Sequence, residues 1–174
     1  MKLGRLKPID DRKVIERVLK GDTEAFNLLV RQWEKPIYSF IVRMIGDRDE
    51  AMDLCQDAFM KAYRELGTLK DLDRFSSWLY RIAHNACFSK LRKDQGKTFV
   101  ELEPDSHGSR TPIESRLAVE KALQHLPEDQ REVVVLKVFQ SLKFEEIAAI
   151  QDAPVSTVKS RLYMGFEKLR SILS

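Results

Sequence analysis

The sequence predicts an all-α protein made of two small helical domains that a flexible linker joins. Apolar residues recur at helical spacing through almost all of the 174 residues. The one long interruption, 94–111, is polar, contains Gly and Pro and has no period, which is typical of a linker. The only β-like stretch, 98–102, lies inside that interruption. We therefore place the domains at 1–94 and 112–174, with the linker at 95–111.

The N-terminal domain begins with two predicted helices. Apolar residues at helical spacing before Gly21 indicate the first helix. Asp22 or Thr23 can cap the second, which extends to about residue 45. Pro36 is expected to break or kink it, because proline lacks the N–H group and clashes with the preceding turn.

Two further helices complete this domain. They fit residues 49–66 and 75–92, with a loop at 67–74 between them. The first has acidic residues at its start and basic residues near its end, which suits the helix dipole. The second has an apolar stripe that predicts one buried face.

The C-terminal domain is predicted to contain four helices, at 112–125, 128–139, 144–150 and 155–173. Its start has Thr111 as the cap, Pro112 at the first helical position and Glu114 in a capping-box arrangement. Each later boundary has its own turn residues, among them Pro127 and Pro154.

Composition limits the class of protein. Hydrophobic residues make up 43% of the chain, and no apolar run approaches the roughly 18 residues that cross a bilayer. The first residues lack the apolar segment and cleavage site of a secretory signal. Two cysteines, Cys55 and Cys87, are too few for a disulfide scaffold. We expect a cytoplasmic protein without membrane insertion.

The sequence contains no constellation that predicts catalysis. Its three histidines are scattered, and it has no Gly-rich phosphate loop and no calcium-loop spacing. His84 and Cys87 lie three residues apart on one predicted helix, so a metal or redox site is possible in principle. Two buried cysteines acting as small hydrophobic residues fit the pattern better. We expect no enzyme activity, no cofactor and no metal.

Residues 144–168 carry the sharpest local pattern, because two helices flank a tight turn that ends at Pro154. This arrangement is typical of a helix-turn-helix, and the donors on its second helix suit base edges and phosphates. Residues 153–174 have a net charge of +3, whereas 114–152 have −3, which favours a phosphate contact by the last helix. The alternative is a three-helix packing motif whose last helix is amphipathic and solvated.

The helix at 75–93 combines aromatic and basic residues. Such a face suits single-stranded nucleic acid, because unpaired bases stack on rings and phosphates contact cations. The alternative is that Phe75 and Trp78 belong to the core and the basic residues are simply solvated. The polar face consists of Arg81, Asn85, Ser89, Arg92 and Lys93.

Five segments resemble a known family: GDTEAFNLLV (21–30), DEAMDLCQDAFMKAYREL (49–66), FSSWLYRIAHNACFSKLRK (75–93), LPEDQREVVVLKVFQSLKFEEIAAI (126–150) and PVSTVKSRLYMGFEKLR (154–170). In this order and at these separations they resemble the extracytoplasmic-function (ECF, group IV) sigma factors of bacterial RNA polymerase. The resemblance implies a sigma-2 domain over 1–94 and a sigma-4 domain, with the helix-turn-helix, over 112–174.

The resemblance also implies three sets of site residues. The residues that would dock on the core polymerase are Asp49, Glu50, Asp53, Gln56 and Asp57. Recognition and melting of the minus-10 element fall to the loop 68–74 and the helix after it, at Leu69, Lys70, Arg74, Trp78, Arg81, Asn85, Ser89 and Arg92. Recognition of the minus-35 element falls to Ser156, Thr157, Lys159, Ser160, Arg161, Tyr163 and Lys168.

Three positions depart from the family pattern. Many relatives have Glu where this chain has Met52, and often Arg where it has Met164 and Phe166. The first departure removes one polar contact from the docking helix. The other two remove cations, which lowers the salt dependence expected for minus-35 binding.

The expected partners follow from the same resemblance. They are the beta and beta-prime subunits of core RNA polymerase, promoter DNA that is double-stranded at minus-35 and single-stranded at minus-10, and an anti-sigma factor. Two alternatives are a stand-alone helix-turn-helix regulator and a helical adaptor without a nucleic-acid role. The regulator leaves the aromatic and basic helix and the acidic helix unexplained, and the adaptor leaves the basic C-terminal segment and the turn before Pro154 unexplained.

Overall fold

The computed structural model describes residues 8–95 and 111–174, and within them the regular structure is entirely helical. This confirms the all-α prediction. The N-terminal half contains α1 (Asp11–Leu19), α2 (Phe26–Ile45), α3 (Arg48–Glu65) and α4 (Phe75–Lys93). The C-terminal half contains α5 (Pro112–Gln124), α6 (Glu128–Val134), α7 (Phe144–Gln151) and α8 (Val155–Leu173). Short 3-10 helices occupy Thr23–Ala25, Leu66–Thr68 and Leu72–Arg74.

The predicted caps are confirmed in part. Neither Asp22 nor Thr23 caps α2, which begins at Phe26 after the 3-10 turn, and Asp22 makes no side-chain capping hydrogen bond. Thr111 Oγ1 accepts from the backbone N–H of Glu114 at 3.3 Å, and Glu114 accepts from the backbone N–H of Thr111 at 2.6 Å, so the capping box is confirmed. Asp47 caps α3 by accepting from Glu50 N–H at 2.9 Å. Gly46 ends α2 at φ 77°, a left-handed conformation that glycine adopts without steric cost.

Pro36 does not break α2, so of the two expected outcomes, a break or a kink, the break is wrong and the kink stays a prediction. The helix continues from Phe26 to Ile45 with Pro36 inside it. A proline there loses one backbone hydrogen bond and costs about 3 kcal/mol. Leu29 before the proline and Ile37 and Phe40 after it are fully buried, and their packing offsets that cost.

The helix predicted over 128–139 has two parts. It is α-helical to Val134 and then forms a π-helix over Val135–Phe139. The wider turn brings Phe139 beneath the guanidinium group of Arg43, 4.3 Å from the ring centroid. The predicted linker falls almost entirely on 96–110, outside the described residues, as does the β-like stretch 98–102.

The two halves share one continuous core, in which buried side chains of α1 to α4 join those of α6 to α8. Arg131 of α6 lies at this junction and is only 2% exposed. Its guanidinium donates to the backbone oxygen of Met44 in α2, and to those of Gln124 and Leu126 at 3.1 Å each. Burial lowers the pKa of Arg131, because the charged form loses hydration there.

Among the described residues, no helix has the length and apolar character needed to cross a membrane.

Replacing Arg131 by Met should lower the free energy of unfolding by about 2–4 kcal/mol, because three carbonyl groups lose their donor in a buried site. Urea unfolding followed by circular dichroism measures the change. Arg116→Met is the matched control, since the Arg116 side chain is 73% exposed and should cost less than about 0.5 kcal/mol. Equal stabilities of the two variants would contradict the structural role of Arg131.

Candidate nucleic-acid interface

One face of α4 carries a row of residues predicted to contact DNA. Positions 78, 81, 85, 89 and 92 follow one another at three- and four-residue steps, so they share a side of the helix. Asn85, Ser89 and Arg92 are exposed along it. Arg81 is exposed as well, and its Nη1 donates to the backbone oxygen of Ala149 at 2.7 Å. The row therefore begins beside the C-terminal half and continues into solvent.

The aromatic residues of α4 lie mainly in the core. Phe75 is 1% exposed, and half-buried Trp78 packs beside it with ring centroids 5.9 Å apart. Tyr80 is 2% exposed and donates its hydroxyl to Gln140 Oε1 at 2.8 Å. Burial raises the pKa of Tyr80, which therefore stays protonated. Phe75 thus follows the core alternative, and Trp78 keeps one side at the surface.

The loop before α4 is held in place by a pair of residues that the sequence analysis did not single out. Arg12 of α1 donates to both carboxylate oxygens of Asp73, at 3.0 and 3.1 Å. The Arg12 guanidinium lowers the pKa of Asp73 through this hydrogen bond. The two residues are 61 positions apart, so no local sequence signal could have paired them.

The predicted loop residues differ in exposure. Lys70 and Arg74 are exposed, and Leu69 is half-buried against the core. Arg74 is also paired with Asp71 at 3.4 Å. A cleft of about 210 Å³ opens beside the loop, between α1, α2 and the start of α4. Its walls include Arg12, Trp33, Leu72, Asp73 and Phe75.

The predicted docking residues lie on α3. Asp49, Asp53, Gln56 and Asp57 are exposed on the side opposite its buried residues. Glu50 differs, because it is half-buried and accepts from Lys90 of α4 at 2.8 Å. That hydrogen bond raises the pKa of Lys90. Glu50 therefore also joins α3 to α4.

The predicted helix-turn-helix is formed by α7, a turn at 152–154 and α8. Asp152 ends α7 at φ 50°, and Ile147, Ile150 and Val158 are buried between the helices. Gly165 allows α8 to approach α6 closely, since a Cβ atom there would lie 2.9 Å from Val134 Cγ2. These contacts fix the angle at which α8 presents its outer face.

The seven predicted residues of α8 divide into two groups. Arg161 faces inward, with Nε 3.0 Å from Asp129 Oδ2 and Nη1 donating to Gln151 Oε1 at 2.9 Å. Thr157 is half-buried. The others are exposed: Ser156, Lys159, Ser160, Tyr163 and Lys168.

Nothing in the described residues gathers three or more His, Cys, Asp or Glu side chains into a possible metal site. Cys55 is 3% exposed and Cys87 is fully buried, and both are free thiols. Burial raises the pKa of Cys55 to about 11 and also raises that of Cys87. Thiols of this kind are unreactive near neutral pH, so they fill space in the core.

Comparison with known proteins gives two family matches. A model described as Sigma-70 region 2 matches residues 29–97, and one described as Sigma-70, region 4 matches residues 116–169. The RNA polymerase sigma-H factor of Pseudomonas aeruginosa is 36% identical, over 94% of this chain and 93% of that protein. The ECF RNA polymerase sigma-E factor of Escherichia coli K12 is 34% identical, over 92% of this chain and 93% of that protein.

Solved structures agree with these matches. The sigma factor RpoE of Bartonella quintana, in complex with the anti-sigma factor NepR, has a TM-score of 0.70 and 27% identity, over 85% of this chain and 96% of that one. CnrH, in complex with the cytosolic domain of CnrY, has a TM-score of 0.73 and 26% identity, over 94% and 96% of the two chains. Sequence, family models and fold agree, and the chain belongs to the sigma-70 family as an ECF sigma factor of RNA polymerase.

Proposed function

We propose that this sigma factor docks on core RNA polymerase through α3, reads single-stranded minus-10 DNA with α4 and its loop, and reads double-stranded minus-35 DNA with α8. The observation that carries the proposal is the row of exposed polar and basic residues on α4, next to a loop that Arg12 and Asp73 fix in position. The domain limits 1–94 and 112–174, with the linker at 95–111, are part of it.

Minus-10 recognition works by taking a base out of the stack. Unstacking costs a few kcal/mol, and a site that reads the exposed base recovers that cost. Asn85 offers both a donor and an acceptor to a base edge, and Arg92 supplies charge for the backbone. The cleft of about 210 Å³ beside the loop gives an extruded base room.

Minus-35 recognition uses the outer face of α8. Ser156, Lys159 and Ser160 lie in its first two turns, the part of a recognition helix that reaches base edges. Arg161 serves in a different way, because its contacts with Asp129 and Gln151 hold α8 on its support. The chain therefore offers few cations to this duplex.

Regulation by an anti-sigma factor is part of the proposal. The RpoE and CnrH structures each contain a second protein, and the partner of RpoE is an anti-sigma factor. A protein that covers α3 or the outer faces of α4 and α8 would block the contacts proposed above. Because a holoenzyme acts on chromosomal DNA, the proposal includes a cytoplasmic location for this activity.

Reconstitution tests the function as a whole. Purified chain and sigma-free core polymerase are combined, and run-off transcripts are mapped over a genomic library of the source organism. Discrete start sites that share two upstream elements are expected. Stoichiometric core binding without transcripts, or an absence of both, would contradict the proposal.

The variant Asn85→Ala should lower open-complex formation at these promoters by about tenfold, since a base loses its paired donor and acceptor. Its affinity for core polymerase should not change. Asn27→Ala is the matched control, because Asn27 is an exposed asparagine in the first turn of α2, outside the loop and helix proposed for DNA. Loss of core affinity in Asn85→Ala would instead make the residue structural.

Reversing the charge of Asp53 and Asp57 together should weaken core binding at least about tenfold, because both carboxylates are exposed on the docking face. Fluorescence competition against the unmodified chain measures the change. Reversal of Glu24 and Glu34, which are also exposed, gives the same net charge elsewhere. Retained core affinity in the Asp53 and Asp57 double variant would remove α3 from the interface.

Placing Arg at Met164 and Phe166 should strengthen binding of the full chain to a minus-35 duplex at low salt. The slope of log affinity against log salt should steepen by about 1.8 if both new cations reach phosphates. Both side chains are 46% exposed, so the replacements fit without repacking. Arg at Met52 and Met60 of α3 adds equal charge elsewhere and should leave the slope unchanged.

A further inference from the structure

The outer face of α8, which the proposed function assigns to minus-35 DNA, carries three large apolar side chains. Tyr163 is 68% exposed, and Met164 and Phe166 are each 46% exposed. Covering such side chains is favourable because it removes apolar surface from water, so a group of them on one exposed face marks an interaction site. The residues around them indicate which chemistry covers them.

The same face has few cations in the turns that reach base edges. Over residues 155–165, the first three turns of α8, the cations are Lys159 and Arg161. Arg161 is turned inward to Asp129 and Gln151. The Nζ of Lys159 lies 5.4 Å from the ring centroid of Phe144, so this ammonium group is on the α7 side of the face. Arginine and lysine are the side chains that most often read guanine, through its O6 and N7 atoms. The middle of this face is therefore poorly equipped to read guanine.

Helical spacing sets the order of the side chains across this face. Ser160 precedes Tyr163 by three positions and Met164 by four, so the three are neighbours on the surface. Lys159 lies four positions before Tyr163, on one flank. Lys168 lies four positions after Met164, on the other flank. A duplex has the matching arrangement, because phosphates line both edges of the major groove and base edges lie between them.

We propose that Tyr163 and Met164 contact thymine methyl groups in the major groove, so that the minus-35 element is read through its A·T pairs and not through guanine. Of the four bases only thymine presents a methyl group in this groove, and apolar side chains are the ones that contact it. This inference rests on the proposed function, since it assumes that α8 enters the groove, and it adds the class of base that α8 reads there.

The residues beside this pair agree with such a contact. Glu167 is exposed one turn after Tyr163, and its carboxylate is an acceptor only, as are O6 and N7 of guanine. Glu167 therefore disfavours guanine in the middle of the face. Phe166 follows Lys159 by seven positions, so it lies along that flank and outside the proposed contact.

Each methyl contact has a size that binding experiments resolve. Covering one methyl group changes affinity by about fourfold. The flexible thioether of Met164 adapts to the position of a methyl group, and the ring of Tyr163 loses little conformational freedom when it is covered. Two independent contacts together change affinity by about 16-fold.

The test uses the full chain and a pool of duplexes whose central base pairs are randomised. Selection at low salt enriches the sequences that the chain binds. Each thymine of an enriched duplex is then replaced in turn by uracil, which lacks only the methyl group, and fluorescence anisotropy measures each affinity. We expect an enriched segment that contains A·T pairs, and about fourfold weaker binding for uracil at each contacted thymine.

Two substitutions remove the apolar groups. Met164→Ala and Tyr163→Ala should each bind the thymine duplex about fourfold more weakly and become insensitive to uracil at one position. The slope of log affinity against log salt should not change, because no cation is lost. Tyr163→Phe keeps the ring and should behave like the unmodified chain. Met60→Ala is the matched control, because Met60 is a 58% exposed methionine on α3. Far-UV circular dichroism verifies that each variant retains its helices.

Uracil without effect at every thymine would overturn the inference, and so would a uracil effect that persists in both Ala variants. In either case the proposed reading of a duplex by α8 stands if the chain enriches a sequence and Ser160→Ala weakens its binding. If no sequence is enriched, that part of the proposed function and this inference fail together. Loss of affinity for core polymerase, with DNA binding unchanged in the Ala variants, would assign the face to a protein partner and overturn the inference.

Discussion

Two neighbouring buried charges on α6 determine how the halves of this protein meet. Arg131 points toward the end of α2, where it donates to Met44, and Glu132 points toward α4, where it meets His84. Both side chains are at most 2% exposed. Buried charges are tolerated only where their partners are correctly placed. The register of α6 against the N-terminal half is therefore fixed at two points, and the positions of α7 and α8 follow from it.

The N-terminal half presents its acidic residues on α3 and its row of polar and basic residues on α4. The carboxylates of α3 point away from its buried side, and Glu50 at the flank is paired with Lys90 of α4. Acidic residues of the loop near α4 are paired in turn, Asp73 with Arg12 and Asp71 with Arg74. Their charge is thereby offset next to the row that Asn85 to Arg92 forms. The N-terminal half can offer an acidic surface and a basic one because these pairs keep the two apart.

Much of the fold was predictable because its signals are local. Periodicity, the Thr111 capping box and the turn before Pro154 each act within a few residues, and the helices formed where they indicated. The break considered at Pro36 does not occur because the packing of α2 outweighs a local penalty, which is a tertiary effect. The pairs Arg12–Asp73 and His84–Glu132 join residues 61 and 48 positions apart, beyond any periodic pattern.

The family resemblance named exposed and inward-facing residues of α8 alike, and only the structure separates Arg161 from its neighbours. The family matches also favour a sigma factor over a stand-alone regulator or an adaptor.

Rigidity within each half limits where the molecule can adapt to DNA. Gly165 against Val134 and Arg161 against Asp129 hold α8 on its support, so the surface proposed for minus-35 DNA belongs to one rigid unit. Under the proposed function, the α4 and α8 surfaces lie on one chain and raise each other's effective concentration once one of them is bound. A weak contact of α8, which has few cations on its outer face, is then compatible with stable promoter binding.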